Sequence, residues 1–174
     1  RPPAAWPAGR AASIQAVKPG IEVYHCAAMV SFNPAHKSDL MFTNVEGTAN
    51  LVNACLANGV KKLCHVSSIG ALGSRIDHLP IDENTPWSGD HKSAYSISKY
   101  LSELEVWRGI EEGLNAVIVN PAVILGPGNW DAGSPEFFSR TAQGMKFYTN
   151  GSTSYVDVRD VTNAMIQLMN SEIS

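Results

Sequence analysis

Lys61-Lys-Leu-Cys-His-Val-Ser67, followed at once by Ser68, is a short apolar and β-prone run bounded by Asn58-Gly59 before it and by a stretch rich in Gly, Pro, Asp and Ser after it. That pattern predicts a buried strand. Upstream, Leu40, Met41, Val45, Ala49, Val52 and Leu56 recur at intervals of three and four, so one long helix is expected from Pro34 to Asn58, stopped by Gly59. Before it, Ile21-Glu-Val-Tyr-His-Cys-Ala-Ala28 reads as a strand leading into the loop Ser31-Phe-Asn-Pro34. Downstream, residues 93–113 form a second helical pattern ending at Gly113, and Ala116-Val-Ile-Val-Asn120 forms a third strand closed by Pro121. The order strand, helix, strand, helix, strand implies parallel strands joined by crossover helices: an α/β, doubly wound, Rossmann-like sheet.

The remaining chain is read more coarsely. Ile69 to Lys92 is expected to be a functional loop, and residues 126–128 a Gly-Pro-Gly turn. A helix is expected over Pro135–Gly144, then an extended stretch around Lys146–Tyr148. Tyr155-Val-Asp-Val158 should lead into a helix over Val161–Met169. Residues 1–20, with four prolines and six alanines, read as an extension or remnant, and residues 21–174 as one domain.

Composition narrows the function classes. The 174 residues carry 13 basic and 16 acidic side chains, for a net charge of -3, and show no basic cluster interleaved with aromatics, which argues against a nucleic-acid surface. No apolar run reaches the length that crosses a bilayer and no secretory signal is seen, so a soluble cytoplasmic protein with small, uncharged partners is expected. Cys26, Cys55 and Cys64 lie in apolar segments without paired spacing and read as reduced core residues. The five histidines are scattered, and no metal site is expected.

In parallel sheets of this type the ligand lies beyond the carboxyl ends of the strands. Cys26-Ala27-Ala28, Ser67-Ser68 and Asn120-Pro121 occupy such ends. Ala27 and Ala28 are small enough to let a flat cofactor approach the backbone, or simply allow tight packing. On the second helix, Tyr95-Ser-Ile-Ser-Lys99 puts a phenol and an ammonium about 40° and about 6 Å apart on one face. A cation beside a phenol favours the phenolate, making the hydroxyl a usable acid or base, while Ser68 supplies a hydrogen bond to the reacting oxygen. Ser67 points to the other face of its strand, toward cofactor or as a buried structural hydroxyl.

The ordered set of His25-Cys-Ala-Ala28, Thr43-Asn-Val-Glu-Gly-Thr48, His65-Val-Ser-Ser68, Tyr95-Ser-Ile-Ser-Lys99, Asn120-Pro-Ala-Val-Ile-Leu-Gly-Pro127 and Tyr155-Val-Asp-Val-Arg-Asp160 resembles the extended short-chain dehydrogenases/reductases. Within them it is similar to the NAD-dependent epimerase/dehydratase family, in its dihydroflavonol-reductase-like branch. The resemblance implies NAD or NADP as cofactor and a small-molecule carbonyl or alcohol as substrate. Tyr95 would be the general acid or base, Lys99 would hold the nicotinamide ribose and tune Tyr95, and Ser68 would orient the substrate oxygen. Ala27, Ala28, Thr43, Asn44, Pro121 and Val123 are implied on the cofactor side; Thr43 and Asn44 serve equally well as polar packing inside the helix. Asn120 and Arg159 are implied on the substrate side, with loop support and a helix-start ion pair as their competing roles. The family's paired long helices commonly form a homodimer interface, although packing on the sheet explains the same faces.

Two family features are missing. The glycine-rich phosphate loop is absent, since Gly9 and Gly20 are the only early glycines, and the variable C-terminal substrate region is not recognisable, so a partial domain is expected. Ile69-Gly70 stand where family dehydratases carry an acidic pair, which disfavours dehydration. The expected activity is ketone/alcohol oxidoreduction by Ser68, Tyr95 and Lys99. Nucleotide-sugar epimerisation, or a non-catalytic binding module, are the alternatives.

Overall fold

The computed structural model describes residues 19–74, 80–89, 92–128, 130, 133–144 and 153–173. Strand β1 (Glu22–His25) leads through a loop into a continuous helical run, α1, which opens on a 3-10 turn (Pro34–His36) and an α-helical turn (Lys37–Leu40). A π-helical segment (Met41–Glu46) follows, then regular α-helix (Gly47–Ala57). Next come β2 (Lys62–Val66), a 3-10 turn (Ile69–Ala71), the helix α2 (Ala94–Glu111) and β3 (Ala116–Val119). Strand β4 (Val123–Leu125), helix α3 (Glu136–Ala142), strand β5 (Tyr155–Asp157) and helix α4 (Val158–Met169) complete the chain.

β1, β2 and β3 form a parallel sheet in that order, with His25 opposite His65 and Val66 opposite Val119. The alternation of strand side chains sends Leu63 and Ala116 to one face, where they pack with Val52 and Cys55 of α1 and Val106 of α2. Cys64 and Val117 go to the opposite face, against Val161, Met165 and Met169 of α4. Helices on both faces make the three-layer, doubly wound arrangement that the order of elements predicts. Gly59 and Gly113, at φ 59° and 99°, are the left-handed stops of α1 and the turn after α2. Gly109 lets α2 approach α1, because a Cβ there would lie 2.5 Å from Val52 Cγ1. Lys62 is buried at the outset of β2, and its ammonium donates to the carbonyls of Leu168, Ser171 and Ile173, satisfying the acceptors left at the end of α4.

Three expectations are corrected. Val123–Leu125, for which the sequence reading names no strand, is a strand paired in parallel with β5. Three residues after a proline carry no periodicity, and the partner lies about thirty residues further on. Cys26 is exposed rather than in the core, because it follows the last paired residue of β1; Cys55 and Cys64 are buried. Helix α4 starts at Val158 rather than Val161, since the Asp157 carboxylate accepts from the Arg159 amide and caps the helix there. The extended stretch at Lys146–Tyr148, and residues 1–18 of the expected extension, lie outside the described residues. No helix among the described residues is long and apolar enough to cross a membrane.

Candidate active site

The carboxyl ends of β1, β2 and β3 meet the first turns of α2, and Lys99 lies at their centre. It is 2% exposed, and its Nζ donates to the Val66 carbonyl at 2.9 Å, where β2 ends. Burial pulls its ammonium down to about 8, against the opposing pull of the Glu103 carboxylate one turn further along α2. Lys99 is therefore charged at neutrality but close to its titration point.

Ser68 caps the 3-10 turn after β2, its Oγ accepting from the Gly70 amide at 3.1 Å. That turn packs on the start of α2: a Cβ on Gly70 would lie 3.2 Å from Ser96 Oγ and 3.4 Å from Ser68 Oγ. The Ser68 hydroxyl is thus brought against the helical turn that carries Tyr95. Helix α2 is started by Ser93, whose Oγ accepts from the Ser96 amide. The half-buried Tyr95 ring meets Phe32, from the loop after β1, edge-on at 5.7 Å.

Two histidines line the inner side of this cluster. Their rings are 5.0 Å apart, and His25 shares a 3.0 Å hydrogen bond with Thr48 of α1. Burial first, and the Lys99 charge second, hold His25 down to about 4. His65, 1% exposed, is pushed still further below the usual histidine range by burial, then Lys99, then His25. Neither of its ring nitrogens has a hydrogen-bond partner among the described residues. Both rings are neutral at pH 7, so the charge of Lys99 is not opposed by imidazolium.

The other residues singled out in the sequence separate into groups. Ala27 and Ala28 are exposed beyond β1, and Thr43 is exposed on the π-helical segment of α1. Asn44, its neighbour, is buried and fully engaged: Oδ1 accepts from Met29 N at 2.7 Å, and Nδ2 donates to Met29 O at 3.0 Å and Ser98 Oγ at 2.9 Å. It ties the loop after β1 to α2 one residue from Lys99. Pro121 accepts from the Ile69 amide through its carbonyl, and Val123 is partly exposed at the start of β4. Asn120 donates through Nδ2 to Glu103 Oε2 at 2.8 Å and to Ser68 O at 3.3 Å. Arg159 is mostly exposed, and its guanidinium pairs with Asp157 at the head of α4.

Sequence reasoning missed Glu103. Its Oε2 also accepts from Ser67 Oγ at 2.5 Å, and its Oε1 from Trp107 Nε1 at 3.3 Å. The signal was available, since Tyr95, Lys99 and Glu103 continue one stripe at intervals of four. A groove of about 580 Å³ runs between α2, β3 and the 83–87 segment, with Glu103 and Asn120 in its wall.

Residues 9–173 match the NAD dependent epimerase/dehydratase family. The chain belongs to that family. It is 33% identical over 167 residues to sterol demethylase protein B of Methylococcus capsulatus, covering 92% of this chain and 50% of that protein. It is 32% identical to cinnamoyl-CoA reductase 1 of Oryza sativa subsp. japonica, over 90% of this chain and 48% of the relative. Among solved structures, the UDP-glucose 4-epimerase of Thermotoga maritima superposes with a TM-score of 0.72 at 28% identity, over 86% of this chain and 52% of that one. The chain spans about half the length of the family relatives it matches, so in the Rossmann-like fold it forms an incomplete unit.

Proposed function

We propose that this chain carries the catalytic residues of an NAD(P)-dependent oxidoreductase that interconverts a ketone and a secondary alcohol. The observation that carries this reading is Lys99, a buried ammonium held at the end of β2, one helical turn from Tyr95 and beside the strand end that bears Ser68. A buried lysine without function is costly and rarely retained in a small domain.

The residues present fit the nicotinamide end of such a cofactor. Exposed, small Ala27 and Ala28 leave the carboxyl end of β1 open to close approach. Lys99 has one recorded acceptor among the described residues for its three ammonium hydrogens, leaving donors for ribose hydroxyls. Thr43 and the backbone of Pro121–Val123 are the further cofactor-side candidates, with Asn44 acting through the Met29 loop that it holds. When bound, NAD(P) supplies the acceptor or donor of a hydride. Tyr95 takes the proton of the alcohol as it is oxidised, or returns it to the ketone oxygen on reduction, and Ser68 donates a hydrogen bond to that oxygen. The ammonium of Lys99 favours the deprotonated form of a hydroxyl beside it. Asn120 and the exposed Arg159 are the substrate-side candidates. The reductases among the relatives support release of the reduced or oxidised product over retention for epimerisation.

The test is turnover of the whole polypeptide that contains this chain with alcohol and ketone panels, followed by NAD(P)H absorbance. Tyr95→Phe is expected to lower kcat by about 10²–10⁴-fold while nucleotide binding persists. Unchanged turnover in that variant overturns the assignment, and interconversion without NAD(P)H release moves it to epimerisation.

A further inference from the structure

Phe32 is the most exposed large apolar side chain among the described residues, at 74%, and its ring meets that of Tyr95 edge-on at 5.7 Å. Val30, two residues earlier, is 64% exposed. Single apolar side chains on a surface are commonplace, so exposure alone decides nothing. What sets this pair apart is the loop that carries it. The amide and the carbonyl of Met29 are both gripped by the buried Asn44, at 2.7 and 3.0 Å. Between Val30 and Phe32, Ser31 Oγ shares a 2.8 Å hydrogen bond with His36 Nδ1 and accepts from the Asn33 amide at 3.2 Å. Asn33 Oδ1 accepts in turn from the Ala35 amide, at the 3-10 turn that opens α1. With tethers before, between and after them, the two apolar side chains cannot be folded away without breaking hydrogen bonds to the loop.

We propose that Phe32, with Val30 beside it, is the specificity-determining surface of this site and takes the apolar group attached to the substrate's reacting carbon. The proposal rests on the assignment of proton transfer to Tyr95. A substrate oxygen within hydrogen-bond reach of the Tyr95 hydroxyl places its carbon one bond further on, so a substituent of that carbon extends along the phenol, where Phe32 is the neighbouring aromatic ring. The chemistry of the loop selects what that substituent is. From Cys26 to Ala35 there is no charged side chain, and the His36 ring is engaged by Ser31, so the loop offers no cation to a phosphate or carboxylate. An exposed aromatic face instead rewards the packing of an apolar ring. The substrate class is therefore a neutral ketone or secondary alcohol with a ring-sized apolar group beside the reacting carbon.

The experiment compares cyclohexyl methyl ketone with acetone, in the whole polypeptide that contains this chain, for wild type, Phe32→Ala and Phe32→Tyr. The ratio of kcat/KM for the two ketones is expected to fall about tenfold in Phe32→Ala, through KM of the larger one, and to be kept in Phe32→Tyr. An unmoved ratio in Phe32→Ala overturns the proposal. A second measurement needs no turnover, so its failure is distinct from failure of the Tyr95→Phe test: NOEs from the Phe32 ring protons to the cyclohexyl protons, on phenylalanine-labelled polypeptide. Their presence supports the contact, and their absence at saturating ketone is fatal to it. If Phe32→Ala does not fold, the ring is covered by other parts of the polypeptide rather than free for substrate, and the proposal falls.

Discussion

The two faces of the three-stranded sheet are built on different principles. Against α4 lie Cys64, Val117, Val161, Met165 and Met169, and the buried charge on that side, Lys62, sits at the edge, where its ammonium is taken up by the carbonyls at the end of α4. Toward α1 and α2 the inner part is apolar too, but near the carboxyl ends of the strands it becomes a seam of buried polar groups: Asn44, Thr48, His65, Ser67, Ser98, Lys99 and Ser102. Area removed from water explains the first face. It cannot explain the second, where each polar group adds a desolvation cost that its hydrogen bonds at best offset. Such a seam stabilises one arrangement of loops and helix over others, which a uniformly apolar core of the same size would not.

The sharpest way to break this contrast is Asn44→Leu. If the seam were merely tolerated polarity, an apolar side chain of similar size would be neutral or stabilising there. Because the amide of Asn44 satisfies both backbone groups of Met29 and the hydroxyl of Ser98, we expect a loss of about 3–5 kcal/mol instead. Urea unfolding followed by circular dichroism measures it. A change below about 1 kcal/mol would show that the loop after β1 finds other partners. On the opposite face, Met165→Ala should cost about 2–4 kcal/mol through lost transfer energy and a cavity between α4 and the sheet. That loss should be independent of pH, since nothing in that cluster titrates near neutrality.

The contrast also sorts what was legible in the sequence from what was not. The apolar face was readable: periodicity placed β1, α1, β2, α2 and β3 in order, and Gly59 and Gly113 marked where helices stop. The Tyr95-to-Lys99 spacing and the Ser68 strand end were readable as well, because each is a local pattern. The seam was not. Asn44 meets Ser98 across 54 positions and Ser67 meets Glu103 across 36, and nothing in a one-dimensional period announces such meetings. The pairing of β4 with β5 escaped for the same reason. The π-helical segment at Met41–Glu46 escaped for another, since it alters the phase of α1 just where Asn44 must turn inward.

The smallest expected effect has the opposite sign, and it bears most directly on the site. Lys99 titrates near 8 in the folded chain against an ordinary lysine value of 10.5. Between those two values the unfolded chain binds more protons than the folded one, so stability must rise as pH rises from about 8 to 10.5, and the full cost of the buried ammonium is present below 8. Lys99→Met removes that cost, although it also leaves the Val66 carbonyl without its partner. The net expectation is a gain of about 1–3 kcal/mol at pH 7, with the alkaline rise abolished. Urea melts of both proteins at pH 7 and pH 10 decide the matter. A wild-type curve that is flat across that range, together with a destabilised Lys99→Met, would mean that the ammonium is comfortable where it lies. The seam would then be structural rather than a stability sacrifice made for proton transfer.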